Sequence, residues 1–168
     1  MDLYLVRHAV AHKRDYERWP NDAERPLTPD GEKDFQVAAR GLEAVLSPPV
    51  MVLSSPYVRA WRTAEILAAQ SGWPAPRVLP ALEPNVPPEK VTLALSSYAE
   101  NGPLVLVGHR PSMHELASYL LVGEDDTLNI GLKKGGAACI RFDGPPEVAS
   151  GKLRWLLTPR ILGALGGS

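Results

Sequence analysis

Leu3-Tyr4-Leu5-Val6-Arg7-His8-Ala9 is the stretch whose reading decides the fold. Four apolar residues in a row predict a buried strand, and the strand ends abruptly in two polar groups. Packing alone gives no reason to deliver Arg-His to a strand end. Arg7 is a permanent cation with a planar fork of donors, suited to phosphate or carboxylate. His8 has the chemistry of a nucleophile, a general base or a metal ligand. One reading makes His8 a nucleophile toward phosphorus with Arg7 on the phosphoryl oxygens. The other makes it a satisfied core histidine beside a surface arginine.

The rest of the chain repeats the pattern. Val10 to Arg25 is a charged loop broken by Trp19-Pro20-Asn21-Asp22. It reads as a rim or lid beside Arg7-His8, although each of its charges taken alone suits a solvated connection. Thr28-Pro29-Asp30 starts a helix, with a cap, a proline at the first position and an acid at the positive end of the dipole. Phe35, Ala38, Ala39, Leu42, Val45 and Leu46 follow at helical spacing. Val50-Met51-Val52-Leu53 is a second buried strand. It ends in Ser54-Ser55-Pro56 and a helix with Arg59 in its first turn; Arg62, one turn on, reads as a surface charge. Val78-Leu79 is a short third strand, followed by the loop Ala81 to Asn85. A helix runs from Pro87 to about Tyr98, and a turn is expected at Asn101-Gly102-Pro103. Leu104 to Val107 is the next strand, ending in Gly108-His109 before a helix that carries Met113, Leu116, Ala117, Leu120 and Leu121 on one face. The loop to Gly136 carries Lys133-Lys134, a solvated pair able to steer an acidic partner. Ala137–Phe142 and Lys152–Thr158 are two more strands, the second alternating Leu153, Trp155 and Leu157 as a half-exposed edge does. Residues 1–158 form one domain on this reading, and 159–168 a tail.

Strands alternating with helices, and apolar without a period of two, predict a three-layer α/β/α sandwich around a mostly parallel sheet. Right-handed crossovers then put the strand ends on one edge, where open α/β sheets bind ligands. Arg7, His8, Arg59 and His109 converge there, and two of the three strand ends lead into helix N-termini, which favour anions. That makes a cup of phosphoryl size. Among 168 residues the net charge is -1, so an anion site has to be local, and bulk nucleic-acid binding is not indicated. His109 and His114 are five apart and do not share a helix face, which argues against a zinc site. The single Cys139 sits inside a strand with no arginine at phosphate-loop spacing, and reads as an inert thiol. One cysteine, no basic leader and no long apolar run point to the cytoplasm and away from a membrane.

Arg7-His8-Ala9, Ser55-Pro56-x-x-Arg59-x-x-x-Thr63 and Gly108-His109 together resemble the signature of the histidine phosphatase superfamily, the phosphoglycerate-mutase-like proteins. Asp22-x-x-Arg25-Pro26-Leu27-Thr28-Pro29-x-Gly31 and Gly108-His109-x-Pro111-Ser112 make the chain similar in particular to the small SixA-type phosphohistidine phosphatases. Ala9 stands where the superfamily usually has glycine. The resemblance implies His8 as nucleophile, with Arg7, Arg59 and His109 around the phosphoryl group, and no metal or cofactor. It implies a proton donor after the third strand, where Glu83 stands. The capping insertion of longer members is absent, which implies an open site and a phosphorylated protein as substrate. A small phosphate ester, such as a sugar phosphate or nucleotide, is the alternative. A non-catalytic phosphoprotein-binding module is the alternative of another class.

Overall fold

The computed structural model describes residues 1–98 and 102–167, so the turn expected at Asn101 begins outside the described residues. Its elements are β1 (Asp2–Arg7), α1 (Pro29–Val45), β2 (Met51–Ser54), α2 (Val58–Ser71), β3 (Arg77–Val78), α3 (Pro88–Leu95), β4 (Leu104–Gly108), α4 (Ser112–Val122), β5 (Ala137–Arg141), β6 (Lys152–Leu157) and α5 (Pro159–Gly166). The strands form one sheet in the order β3-β2-β4-β1-β5-β6. Pairing is parallel from β3 to β1 and antiparallel on both sides of β5, so β5 alone is reversed.

Strand periodicity sorts the core into two layers. Tyr4, Val6, Val52, Val105 and Val107 face α1, α2 and α5. Leu3, Leu5, Leu53, Leu104 and Leu106 face α3 and α4. Both faces are covered, which is why these strands are apolar throughout. The fold is thus the expected mixed α/β sandwich. α1 starts as its sequence indicates: Thr28 Oγ1 accepts from Gly31 N at 3.0 Å, behind Pro29 at the first position. α2 stops at Gly72, whose φ of 61° takes the left-handed C-terminal position. Among the described residues no helix is long and apolar enough to cross a membrane.

Two expectations are corrected. The β6 alternation does not put Leu153, Trp155 and Leu157 on one face. A bulge between Cys139 and Ile140 pairs Trp155 with Cys139 but Leu153 with Ile140. Trp155 stacks on Tyr4 at 6.0 Å, while Leu153 remains 46% exposed. The expected tail is also a helix. Thr158 caps α5, and Leu162 is fully buried against α1. Glycine-rich composition suggests disorder, yet here glycine permits contact. A Cβ on Gly41 of α1 would strike the Leu162 carbonyl, and one on Gly166 of α5 would strike the Val37 carbonyl.

Gly41→Ala is therefore expected to cost about 1–3 kcal/mol through overpacking. Gly163→Ala, whose Cβ meets nothing within 4 Å, is expected to gain about 0.5–1 kcal/mol from helix propensity. Urea unfolding of the two variants against wild type checks both signs.

Candidate active site

β1 and β4 are neighbours, paired Val6 to Val107 and Arg7 to Gly108. The next residue of each is a histidine. The helix after β1 packs on one face of the sheet and the helix after β4 on the other, so a crevice opens where the chains part. The rings of His8 and His109 lie there with centroids 5.2 Å apart. A cavity of about 440 Å³ opens over them, lined among others by Arg7, Arg59, Asp22, Arg25 and Lys134.

His8 is 6% exposed. Its Nδ1 lies 2.7 Å from the Ala9 carbonyl, which only accepts, so Nδ1 carries the proton and donates. Nε2 is left with a free lone pair. Burial, with the charges of Arg59 and Arg7, pushes the His8 pKa down to about 3 despite that bond. The ring is neutral at neutral pH.

His109 is 2% exposed and its Nε2 is 2.9 Å from Ser55 Oγ. Its Nδ1 is buried with no hydrogen-bond partner. Burial, then the neighbouring His8 and Arg59, pushes its pKa down to about 2. Tyr57 packs edge-on to the ring at 5.1 Å.

Arg59 enters from the first turn of α2, 4% exposed, with its guanidinium 5.0 Å from the Tyr57 ring. Nη1 donates to the Asp22 carbonyl at 2.7 Å and Nη2 to Asp22 Oδ2 at 2.9 Å. Thr63, one turn further along α2, ties this helix to β1. Its hydroxyl donates to the Arg59 carbonyl at 2.7 Å and accepts from Ala9 N at 3.0 Å. That accounts for the arginine-threonine spacing: one residue supplies the fork and the other fixes the helix beside His8. Arg62 is the expected surface charge, bonded through two nitrogens to Glu32 at 3.0 Å.

Arg7 ends β1. Strand alternation turns its side chain to the face opposite His8, where Nη1 donates to the Leu132 carbonyl at 3.1 Å. The loop before β5 wraps this strand end. Gly135, with φ of 73°, donates to the carbonyls of both Arg7 and His8, which brings Lys134 to the cavity.

The 10–25 loop is a wall of the cavity. Asp22 sits among Arg14, Arg25 and Arg59 at 3.3, 2.8 and 2.9 Å. Partial burial alone would raise its pKa; bonds from Arg25 and Arg14 and the Arg59 charge outweigh that and hold the carboxyl well below the usual range. Arg25 also donates to the His12 carbonyl at 2.7 Å. Reasoning from strand ends misses Asp22, Arg25, Tyr57 and Arg110 as lining residues. Their one sequence signal is the Asp22-x-x-Arg25 spacing, which puts both on a single short turn. Glu83 does not line the cavity. It caps the 3₁₀ turn Pro80–Leu82, and the following Pro84 and Asn85 line the wall instead. Cys139 is buried in β5, with burial pushing its thiol up to about 11, and has no part in the cavity.

A model of the histidine phosphatase superfamily (branch 1) matches residues 3–83, from β1 through the end of that turn. An uncharacterized protein of Picosynechococcus sp. is 36% identical over 144 residues, 84% of this chain and 85% of its own. The chain belongs to the histidine phosphatase superfamily. Members of that superfamily are phosphatases. In fold it is similar to the protein histidine phosphatase SixA solved with tungstate, at a TM-score of 0.82 and 24% identity, covering 96% of this chain and 99% of that one. It is also similar to the alpha-ribazole phosphatase of Shigella flexneri, at a TM-score of 0.72 and 17% identity, covering 95% and 97%.

The two depressed histidines make stability pH-dependent in a definite direction. An unfolded histidine titrates near ~6.5. Below that pH the unfolded chain binds protons that the folded chain refuses, so stability falls as pH drops from about 6.5 toward about 3. The slope approaches ~1.4 kcal/mol per pH unit for each ring. Urea unfolding at pH 7.5, 6 and 5 is expected to show this loss, and His8→Asn to lower the slope by about one proton's worth.

Proposed function

We propose that the protein hydrolyses phosphohistidine on a phosphorylated protein through a covalent intermediate on His8. The observation that carries this reading is the proton inventory of the cavity. His8, with a neutral Nε2, lines one cavity with Arg7, Arg59 and His109, and among the described residues that lining holds no carboxyl group besides Asp22, which its three arginines keep ionised.

Nε2 attacks phosphorus in line, and the bond from phosphorus to the leaving group breaks. Arg7, Arg59 and His109 stabilise the charge on the equatorial oxygens. Nδ1–H keeps its bond to the Ala9 carbonyl throughout. Phospho-His8 is therefore a cationic ring, ready to leave as neutral imidazole. Water then attacks phosphorus, the Nε2–P bond breaks, and inorganic phosphate and a proton depart. A phosphohistidine substrate also leaves as neutral imidazole once solvent has protonated its far nitrogen, a group with pKa of ~6.5. An ester leaves as an alkoxide and needs an acid at its oxygen. A site without a protonated carboxyl group suits the first leaving group better.

Hydrolysis of a small phosphate ester is the second reading, with Glu83 as the acid. Its support is that Glu83 adjoins Pro84 and Asn85 on the cavity wall.

The test measures turnover of a phosphohistidine-bearing protein and of an aryl phosphate, with EDTA present, by wild type, His8→Ala and Glu83→Gln. Wild type is expected to turn over the phosphoprotein faster, and His8→Ala to lose about a thousandfold or more on both substrates. Glu83→Gln is expected to leave the phosphoprotein rate intact. A large loss on the aryl ester alone favours the small-ester reading. Binding of the phosphoprotein without turnover marks a binding module. Activity that survives in His8→Ala overturns the assignment of the nucleophile.

A further inference from the structure

A second cavity, of about 380 Å³, lies on the other side of Arg7 and is lined by Arg7, Arg110, His114, Asn129, Leu132 and Lys133 among others. It shares Arg7 and Arg110 with the active cavity. The charge at the two places differs. Asp22 partners three arginines of the first cavity's outer wall, whereas among the described residues no Asp or Glu lines the second cavity. Among the described residues, Arg7, Arg110, Lys133 and Lys134 form no ion pair. Exposed cations such as Lys13, Arg18 and Arg77 also lack an ion pair; what sets these four apart is that they gather on two adjoining cavities.

The wall between the cavities is fixed. The Leu132 carbonyl accepts from Arg7 Nη1 at 3.1 Å and from His114 Nε2 at 3.2 Å. That contact joins the loop before β5 to α4 and holds the Arg7 fork between the two spaces. Arg7 Nε is buried with no partner. Four gathered cations repel one another, and an uncompensated cluster of that kind lowers stability unless a ligand supplies the opposite charge. A phosphoryl group in the first cavity uses one side of Arg7 and leaves Arg110 and Lys133 for a second anion.

We propose that this second cavity is an anion subsite for a carboxylate carried by the substrate, in the form of an Asp or Glu side chain near the phosphohistidine. The proposal rests on the phosphoprotein reading for the source of the carboxylate, but not for the subsite itself. It makes the protein selective among phosphohistidine segments by their acidic neighbours. It also assigns Lys133, which lines only the second cavity, as a specificity residue.

Two substrate pairs separate the claims. One is a pair of phosphohistidine peptides that differ by a Glu or Gln beside the modified residue. The other is phenyl phosphate against its carboxylated analogue. Each is measured with wild type and with Lys133→Ala at low and high salt. In wild type the Glu peptide is expected to exceed the Gln peptide about tenfold in kcat/KM, mainly through KM. The ratio is expected to shrink toward one in Lys133→Ala and in 0.5 M salt. If neither peptide turns over but the aryl phosphates do, the phosphoprotein reading fails while the carboxylated aryl pair still reads the subsite. A preference for the carboxylated aryl phosphate alone keeps the subsite and overturns its protein source. Ratios near one in both pairs, or a preference that Lys133→Ala leaves unchanged, overturn the subsite.

Discussion

The parallel pairing of β1 with β4 is the constraint from which the site follows. The two strands are far apart in sequence and adjacent in the sheet, with Arg7 opposite Gly108. Only this register puts His8 and His109 at the same height, and the backbone link from His8 N to the Gly108 carbonyl at 3.0 Å extends it one residue past the strand. A slip of β1 by one residue would turn His8 to the other face of the sheet, away from His109. The slip is blocked because Leu3 and Leu5 would then exchange with Tyr4 and Val6 between two differently shaped layers. The geometry of the two histidines is thus held by the whole core, and the energy of one hydrogen bond has little to do with it.

Burying cations at that crevice costs desolvation energy, and the chain handles the cost in two ways. Asp22 answers Arg59, Arg25 and Arg14 together, so three guanidinium groups share one ionised carboxylate. A shared carboxylate is a weak partner for each, so under the proposed function an arriving phosphoryl dianion would compete for the same donors without having to break a strong private pair. The histidines take the other route and remain neutral. A cationic His8 would have no lone pair at Nε2, so the burial that depresses its pKa also keeps that lone pair available, as the proposed function requires.

The strand ends are legible in the sequence because apolar runs and polar ends are local signals. Arg7, His8, Arg59 and His109 each sit within a few residues of a strand or helix boundary, and parallel topology does the rest. Asp22 and Arg25 are less legible because their meaning is relational: among so many charges in the 10–25 loop, only contact with Arg59 distinguishes them. α5 is hidden by composition. Its glycines lower helix propensity, and the compensating gain is close approach to Gly41, a partner more than a hundred residues away. The β6 bulge has no composition signal at all, since it depends on where β5 bends. Glu83 shows the converse: its position after the third strand is legible, but the Pro80–Leu82 turn sends the next two residues into the wall in its place.

The Ala9 carbonyl links the local backbone to the course of the proposed reaction. It holds the His8 Nδ1 proton at 2.7 Å, and Ala9 N is in turn fixed by Thr63 at 3.0 Å. With Nδ1 protonated, the proposed phosphorylation of Nε2 would create a cation next to a carbonyl dipole that stabilises it. The same cation would make Nε2 a good leaving group when water attacks. An imidazole locked in the opposite tautomer would present N–H to phosphorus and could not start. Position 9 therefore serves this arrangement through its backbone, which alanine supplies. The demand on position 9 is that its amide and carbonyl stay in place, and a buried Cβ, 2% exposed, adds packing without touching either bond.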